Sequence, residues 1–393
     1  MIDTTDEFLT ACRALAGADG PVAVDVERAS GFRYSSRAYL VQVFRRGAGV
    51  FLFDPPALGD MSPLQDAIGD AEWVFHAATQ DLPSLADIGL VPQRIFDTEL
   101  SARLLGWPGV GLAAVVERTL GIVLKKEHSA ADWSTRPLPQ SWLEYAALDV
   151  EHLLDVRDAI AAELDETGKR DWAEEEFRDE LTREPKPAPA EPWRRLTGLH
   201  KLRGRRNLAI VRALWLARDA LAREQDTAPG RLVPDRSLVA AVLASPRSKR
   251  ELSAVKDFTG RASRTELDRW WQAFLDGRAE TDLPLERVPS DALPPVRAWA
   301  TRRPEADRRI KAAKPVIDAH AEFLSIPLEN LLTPEHLRRV AWRPPAPATP
   351  EAIAAELADL GARPWQIAQT APLISRAFVQ AAQSAPDEGE SAS

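Results

Sequence analysis

The sequence predicts an α/β domain built on a mixed sheet, followed by two all-α domains. Three observations carry this. Three strand-like segments stand close together near the start, and helix and strand then alternate to about residue 164. A Pro-rich stretch, EPKPAPAEP (184–192), cannot be helical and interrupts the chain. Beyond it, the periodic segments are helical. The expected organisation is a domain over 1–183, a linker over 184–192, helical domains over 193–278 and 295–383, and a disordered polar tail, 384–393.

Each element follows from local pattern. PVAVDVER (21–28) sets Val22, Val24 and Val26 on one face and Ala23, Asp25 and Glu27 on the other. AYLVQVF (38–44) and GVFLFDP (49–55) follow after short turns, as in an antiparallel meander. A helix over 62–69 leads to a strand at EWVFHAA (72–78), a helix at 82–89 and a short strand at RIFD (94–97). Helices are expected around 98–105, 111–120 and 140–164, then a polar helix before the linker. The two helical regions look like distant repeats. Each has a long amphipathic helix and then a Pro-bearing loop, GRLVPDRSL (230–238) or ENLLTPEHL (329–337).

The 393 residues are 45% hydrophobic and 28% charged, a globular balance. The single cysteine, Cys12, excludes an internal disulfide and a Cys-rich zinc site. No apolar run approaches the roughly 18–20 residues of a membrane span, and the N-terminus is acidic, unlike a secretory signal. The expectation is a soluble, cytoplasmic protein. Charge is placed unevenly. Residues 1–192 carry 18 Lys and Arg against 34 Asp and Glu, whereas residues 193–278 carry 19 against 9. A basic block in an acidic chain suits polyanion binding; an Arg-rich solvated surface is the plainer alternative.

The six histidines show no HExxH spacing, and the chain has neither a GxxxxGK[ST] loop nor a GxSxG elbow. A nucleotide cofactor is therefore not expected. What remains is carboxylates. Asp25 and Glu27 project from one face of a strand. Asp81 follows a later strand, and Asp149 lies one helical turn after Tyr145. Four acids from three segments of the chain suit hard divalent cations. They equally suit a helix N-cap at Asp81, a solvated Asp149, and a Glu27 paired with Arg28 or Arg33.

VDVE (24–27), HAATQDLPSL (76–85) and YAALDVEHLL (145–154) resemble the three motifs of the DEDD exonucleases, in the branch with Tyr four residues before the last Asp. DTELSARLLG (97–106) and KKEHSAADWSTRPLPQSWLEYAALDV (125–150) resemble the ribonuclease D family. The block 193–277 resembles the helicase-and-RNase-D C-terminal (HRDC) domain, and 295–383 a degenerate second copy.

This resemblance implies an RNase H-like fold with Asp25, Glu27, Asp81 and Asp149 as metal ligands. It implies two divalent ions, Mg²⁺ foremost with Mn²⁺ as the alternative, and Tyr145 orienting the attacking water. Glu27 is placed to accept from the terminal ribose hydroxyl. His76 is a candidate substrate contact or a hydrogen-bonded core residue. Trp133 and Arg136 either stack on a base and bind a phosphate or pack inside the fold. Lys201, Arg203, Arg205 and Arg206 suit a phosphate track or a solvated face.

The implied function is metal-dependent 3′→5′ exoribonuclease action on structured RNA such as tRNA precursors. A 3′→5′ DNA exonuclease and a non-catalytic nucleic-acid-binding scaffold are the alternatives.

Overall fold

A computed structural model describes residues 1–124, 131–184, 187–288 and 291–383. The expected tail, 384–393, lies outside the described residues, as do Lys125–Ala130 of one family-like stretch. Helix α1 (Thr5–Ala16) opens the chain where the motifs point to no element. Its signal is Phe8, Ala11, Cys12 and Leu15, all buried and at helical spacing.

Strands β1 (Val22–Arg28), β2 (Ala38–Arg45) and β3 (Gly49–Phe53) form the meander. Strands β4 (Glu72–Phe75) and β5 (Arg94–Asp97) extend it in parallel, in the order β3-β2-β1-β4-β5. β1 therefore lies at the centre of a mixed sheet, with Val22, Val24 and Val26 in the main core. The crossovers deliver α2 (Leu82–Ala86) after β4 and α3 (Thr98–Leu104) after β5.

The helix expected over 140–164 is two: α4 (Gln140–Glu151) and α5 (Leu153–Glu166), broken at His152. One straight helix has one apolar stripe, and two faces need covering. α4 lies across β1, β2 and β3, with Ala146 buried beside Leu40, Trp133 and Leu138. α5 turns Leu153, Leu154, Val156, Ile160 and Leu164 into the main core. Gly168, at φ +68°, ends this region in a left-handed turn and frees α6 (Arg170–Thr182).

Beyond the linker come two helical modules with one order of elements. The first contains α7 (Arg205–Glu224), α8 (Asp235–Ala244) and α9 (Leu267–Ala279). The second contains α10 (Pro304–Phe323), α11 (Pro334–Trp342) and α12 (Pro364–Gln383). In each, a 20-residue helix is followed by a four-residue helical turn, Pro229–Leu232 or Leu328–Leu331. The closing helix packs back on the opening one. In the first module this contact needs Gly277, where an added Cβ would lie 2.5 Å from Ile210 Cα.

The modules join the nuclease-like domain differently. The second shares its core: Trp299, Ile310 and Ile374 belong to the same apolar cluster as Val24 and Phe75. Trp365 stacks on Trp172 of α6 at 4.9 Å, and its Nε1 donates to Glu176. Arg363 pairs with the same buried Glu176 carboxylate at 2.7 Å, and Lys169 Nζ donates to the carbonyls of Leu104 and Leu324. The first module has its own core around Leu214, Trp270 and Phe274. It meets the β1–β2 loop through polar contacts. Asp226 accepts from the N–H groups of Tyr34 and Ser35 and from the hydroxyls of Ser35 and Tyr39. Arg231 donates to the Gly31 carbonyl and lies 3.8 Å over the Phe32 ring. Among the described residues, no helix is long and apolar enough to cross a membrane.

The shared core predicts shared unfolding. Arg363→Ala leaves a buried Glu176 carboxylate without its cation, a loss on the order of 3–5 kcal/mol. In urea melts followed by tryptophan fluorescence and by residual activity, both signals should shift together to lower denaturant. A shift in fluorescence with activity unmoved would show that the second module unfolds alone.

Candidate active site

β1 aims Asp25 and Glu27 away from the main core, opposite Gln42 and Leu40 of β2. α4 crosses that face and presents Tyr145 and Asp149 one turn apart. One carboxylate oxygen from each of Asp25, Glu27 and Asp149 lies within 4.8 Å of the others. The Tyr145 hydroxyl donates to Asp149.

Asp81 arrives by a different route. After β4 the chain turns through Ala77, at φ +70°. The buried Asp97 holds this turn, accepting from the N–H groups of Ala77 at 3.2 Å and Ala78 at 2.6 Å. The same carboxylate caps α3 through Glu99 and Leu100. Asp81 stands before α2, yet its side chain makes no capping bond. It pairs instead with Arg28, Nη2 to Oδ1 at 3.3 Å. All five predicted residues line one cleft of about 340 Å³, with His76, Gln80 and Leu112.

The electrostatics of this cleft are severe. Two full charges 4.8 Å apart repel by roughly 3–4 kcal/mol at an effective dielectric near 20. Burial holds Asp25, Glu27, Asp81 and Asp149 above the ordinary carboxylate range, and neighbouring acids raise Glu27, Asp81 and Asp149 further. Burial and the adjacent Asp149 also push the Tyr145 phenol up. Among the described residues, Arg28 is the one permanently charged cation lining the cleft. A donor set of hard carboxylate oxygens, short of counter-charge, fits a divalent cation.

The other expected contacts fare unevenly. His76 reaches the cleft; its Nδ1 lies 2.9 Å from Thr98 Oγ1, and burial pushes its pKa down to about 4. Trp133 is only 1% exposed and sits edge-on to Trp142, so it offers no face to a base. Arg136 grips the buried Asp54 with Nε and Nη2, at 2.6 and 2.8 Å, and also binds the carbonyls of Tyr39, Trp133 and Thr135. Both therefore take part in the packing. Arg205 donates to the carbonyls of Leu283 and Pro284, and Arg206 to those of Gly277 and Glu280. Those two clamp the chain that follows α9 and remain exposed. Lys201 and Arg203 stay exposed, in separate depressions beside Arg236 and beside Arg194, His200 and Arg287.

Three residues of the site escape the motifs. Asp97 had a signal, an acid immediately before a helix. Arg28 had none as a partner of Asp81. Gln42 is fully buried opposite Asp25, and among the described residues neither of its amide atoms has a hydrogen-bond partner.

Three family models match the chain. Residues 1–165 match "3'-5' exonuclease", 207–273 "HRDC domain", and 292–378 "3' to 5' exonuclease C-terminal domain". Ribonuclease D of Escherichia coli K12 is 30% identical over 345 residues, which cover 86% of this chain and 89% of that protein. This chain belongs to the ribonuclease D family. Its activity is that of a 3′→5′ exoribonuclease, a phosphodiester hydrolase. Ribonuclease D of Acidiphilium cryptum is 32% identical over 312 residues, covering 75% and 77% of the two chains. Among solved structures, a protein from Bifidobacterium adolescentis superposes with a TM-score of 0.88 at 38% identity over 96% of both chains. Escherichia coli RNase D, described as an exoribonuclease involved in structured RNA processing, superposes at 0.68 and 27% identity over 98% and 99%. The mixed sheet and helical modules are thus those of the ribonuclease D family, and its substrate class is RNA. The HRDC model falls on the first module alone, and the second matches a model of its own.

The raised carboxyls make stability depend on pH. In the cation-free fold these groups bind protons more tightly than in the unfolded chain. Their contribution is therefore fully present below the ordinary carboxylate range near pH 4 and is lost as pH rises through the folded values. In EDTA, urea midpoints should fall from about pH 5 to mildly alkaline pH, and Asp149→Asn should flatten the fall. A wild-type midpoint that rises over this window would show that the acids are not crowded.

Proposed function

We propose that this exoribonuclease trims 3′ ends of structured RNA, tRNA precursors foremost, using two divalent cations held by Asp25, Glu27, Asp81 and Asp149. Magnesium is the expected ion and manganese its substitute. The observation that carries the reading is the convergence of Asp25, Glu27 and Asp149 with Tyr145 in one cleft. Divalent cations, when bound, supply the positive charge that activates water and offsets charge on the leaving 3′ oxygen.

The chain's own residues do the rest. Tyr145 keeps its proton, because burial and Asp149 raise its pKa further. It therefore orients the attacking water and is a poor base. Glu27 faces the same space and accepts from the terminal ribose hydroxyl, a contact that distinguishes a chain end. His76 is neutral at working pH, because burial lowers its pKa, and adds no charge to the cleft. A cleft of about 340 Å³ lies at the small end of the range for ligand sites, which suits a terminal nucleotide.

The basic first module supplies the electrostatic hold on the body of the RNA. The organisation that goes with this reading is a nuclease over 1–183, an HRDC domain over 193–278 and a degenerate second copy over 295–383. Structured RNA as substrate follows the description of the Escherichia coli relative.

The test uses 3′-labelled structured RNA and matched DNA, with Mg²⁺ or EDTA. Hydrolysis should need Mg²⁺ and favour RNA. Asp25→Asn or Asp149→Asn should nearly abolish it in folded protein. Tyr145→Phe should slow it on the order of 10²–10⁴-fold with RNA affinity kept. Near-wild-type turnover by either Asn variant would place the chemistry elsewhere.

Charge on the first module gives a second measurement. Exchanging both Lys201 and Arg203 for Glu should weaken RNA binding and flatten the logarithmic salt slope by about 1.5 or more. An unchanged slope would remove these two residues from the RNA path.

A further inference from the structure

Arg28 directly follows Glu27, where the pairing of β1 with β2 slips. Glu27 pairs with Leu40 and Arg28 with Ala38, so one step on β1 matches two on β2. Its guanidinium reaches across to Asp81 at 3.3 Å, with Nη1 at 3.5 Å from Ser84 Oγ, and its charge also acts on Asp25 and Glu27. The cleft is thus divided. Three carboxylates converge on one another, while the fourth is held by an arginine. Asp81 is the fixed member of this pair, with its side chain 6% exposed. Arg28 is the movable one, 24% exposed on a long chain.

We propose that Arg28 is a stand-in counter-charge for Asp81, which yields to a divalent cation and then takes a phosphate of the RNA. The inference rests on the reading of the four acids as a cation site. A divalent ion next to Asp81 attracts that carboxylate more strongly than a single guanidinium does, and it repels the guanidinium. Arg28, displaced, remains at the mouth of the cleft where the RNA backbone enters. Its planar fork matches two phosphate oxygens, which the point charge of a lysine does not. One residue thereby links cation loading to substrate capture.

The test is calorimetric titration of Mn²⁺ into the full-length wild type and its Arg28→Ala, Arg28→Lys, Asp81→Asn and Arg28→Ala/Asp81→Asn variants. RNA kinetics at saturating cation accompany it. Arg28→Ala should bind Mn²⁺ roughly three- to tenfold more tightly, because a competing ion pair is gone. Its KM for RNA should rise roughly tenfold or more, with kcat changed less, because a charge-assisted phosphate contact is lost. Arg28→Lys should keep wild-type Mn²⁺ affinity but show the raised KM. In the Asp81→Asn background, removing Arg28 should tighten Mn²⁺ binding by a smaller factor than it does in the wild type, and an equal factor would overturn the pairing with Asp81 as the cause. Equal or weaker Mn²⁺ binding by Arg28→Ala, or an unchanged KM, would overturn the role given to Arg28. If the wild type failed to bind Mn²⁺, or if Asp149→Asn bound it as tightly as the wild type, the cation site itself would be wrong.

Discussion

The whole architecture works against one repulsion: acids from three elements are brought into a half-buried cleft where each raises the energy of the next. Such an arrangement survives only if every acid is delivered by something rigid. Asp25 and Glu27 are delivered by the central strand, which has partners on both sides. Asp149 is delivered by a helix laid across three strands. Asp81 depends on a left-handed turn, and Asp97, with four backbone N–H groups on its carboxylate, keeps that turn in place. Site and scaffold are therefore inseparable here; the clustered acids are supported by residues that cannot relax away from them.

What was legible in the sequence was whatever repeats locally. Alternation in VAVDVER separates the valines from Asp25 and Glu27, and the structure keeps that separation. A spacing of four places Tyr145 beside Asp149, as observed. Partner choice was not legible, because it depends on what distant segments bring. Arg136 could only be judged once Asp54, 82 residues earlier, stood next to it. Trp133 could only be judged once α4 covered it. Arg205 and Arg206 look like a phosphate track along the chain, but the segment after α9 returns its carbonyls to them. The break at His152 was hidden for the same reason, since only the tertiary arrangement shows that two faces need covering.

Repetition of the helical module conceals a division of roles that charge and burial reveal. The second copy has surrendered its independence. Its apolar side chains merge with the nuclease core, and an arginine-carboxylate pair and stacked tryptophans seal the joint. The first copy keeps a core of its own and the excess of positive charge. Two modules with one order of elements thus form one structural buttress and one charged arm. A core shared with the nuclease or kept separate distinguishes the two.

The joint at Asp226 has a consequence for how the chain tolerates change. It grips the loop that leaves β1, and the grip is made of side-chain and backbone hydrogen bonds spanning 187–192 residues of sequence. The tether over 184–192 is therefore not what sets the angle between the arm and the cleft. A change of length in that proline-rich stretch therefore leaves the seating of the arm to the contacts that Asp226 and Arg231 make with the loop.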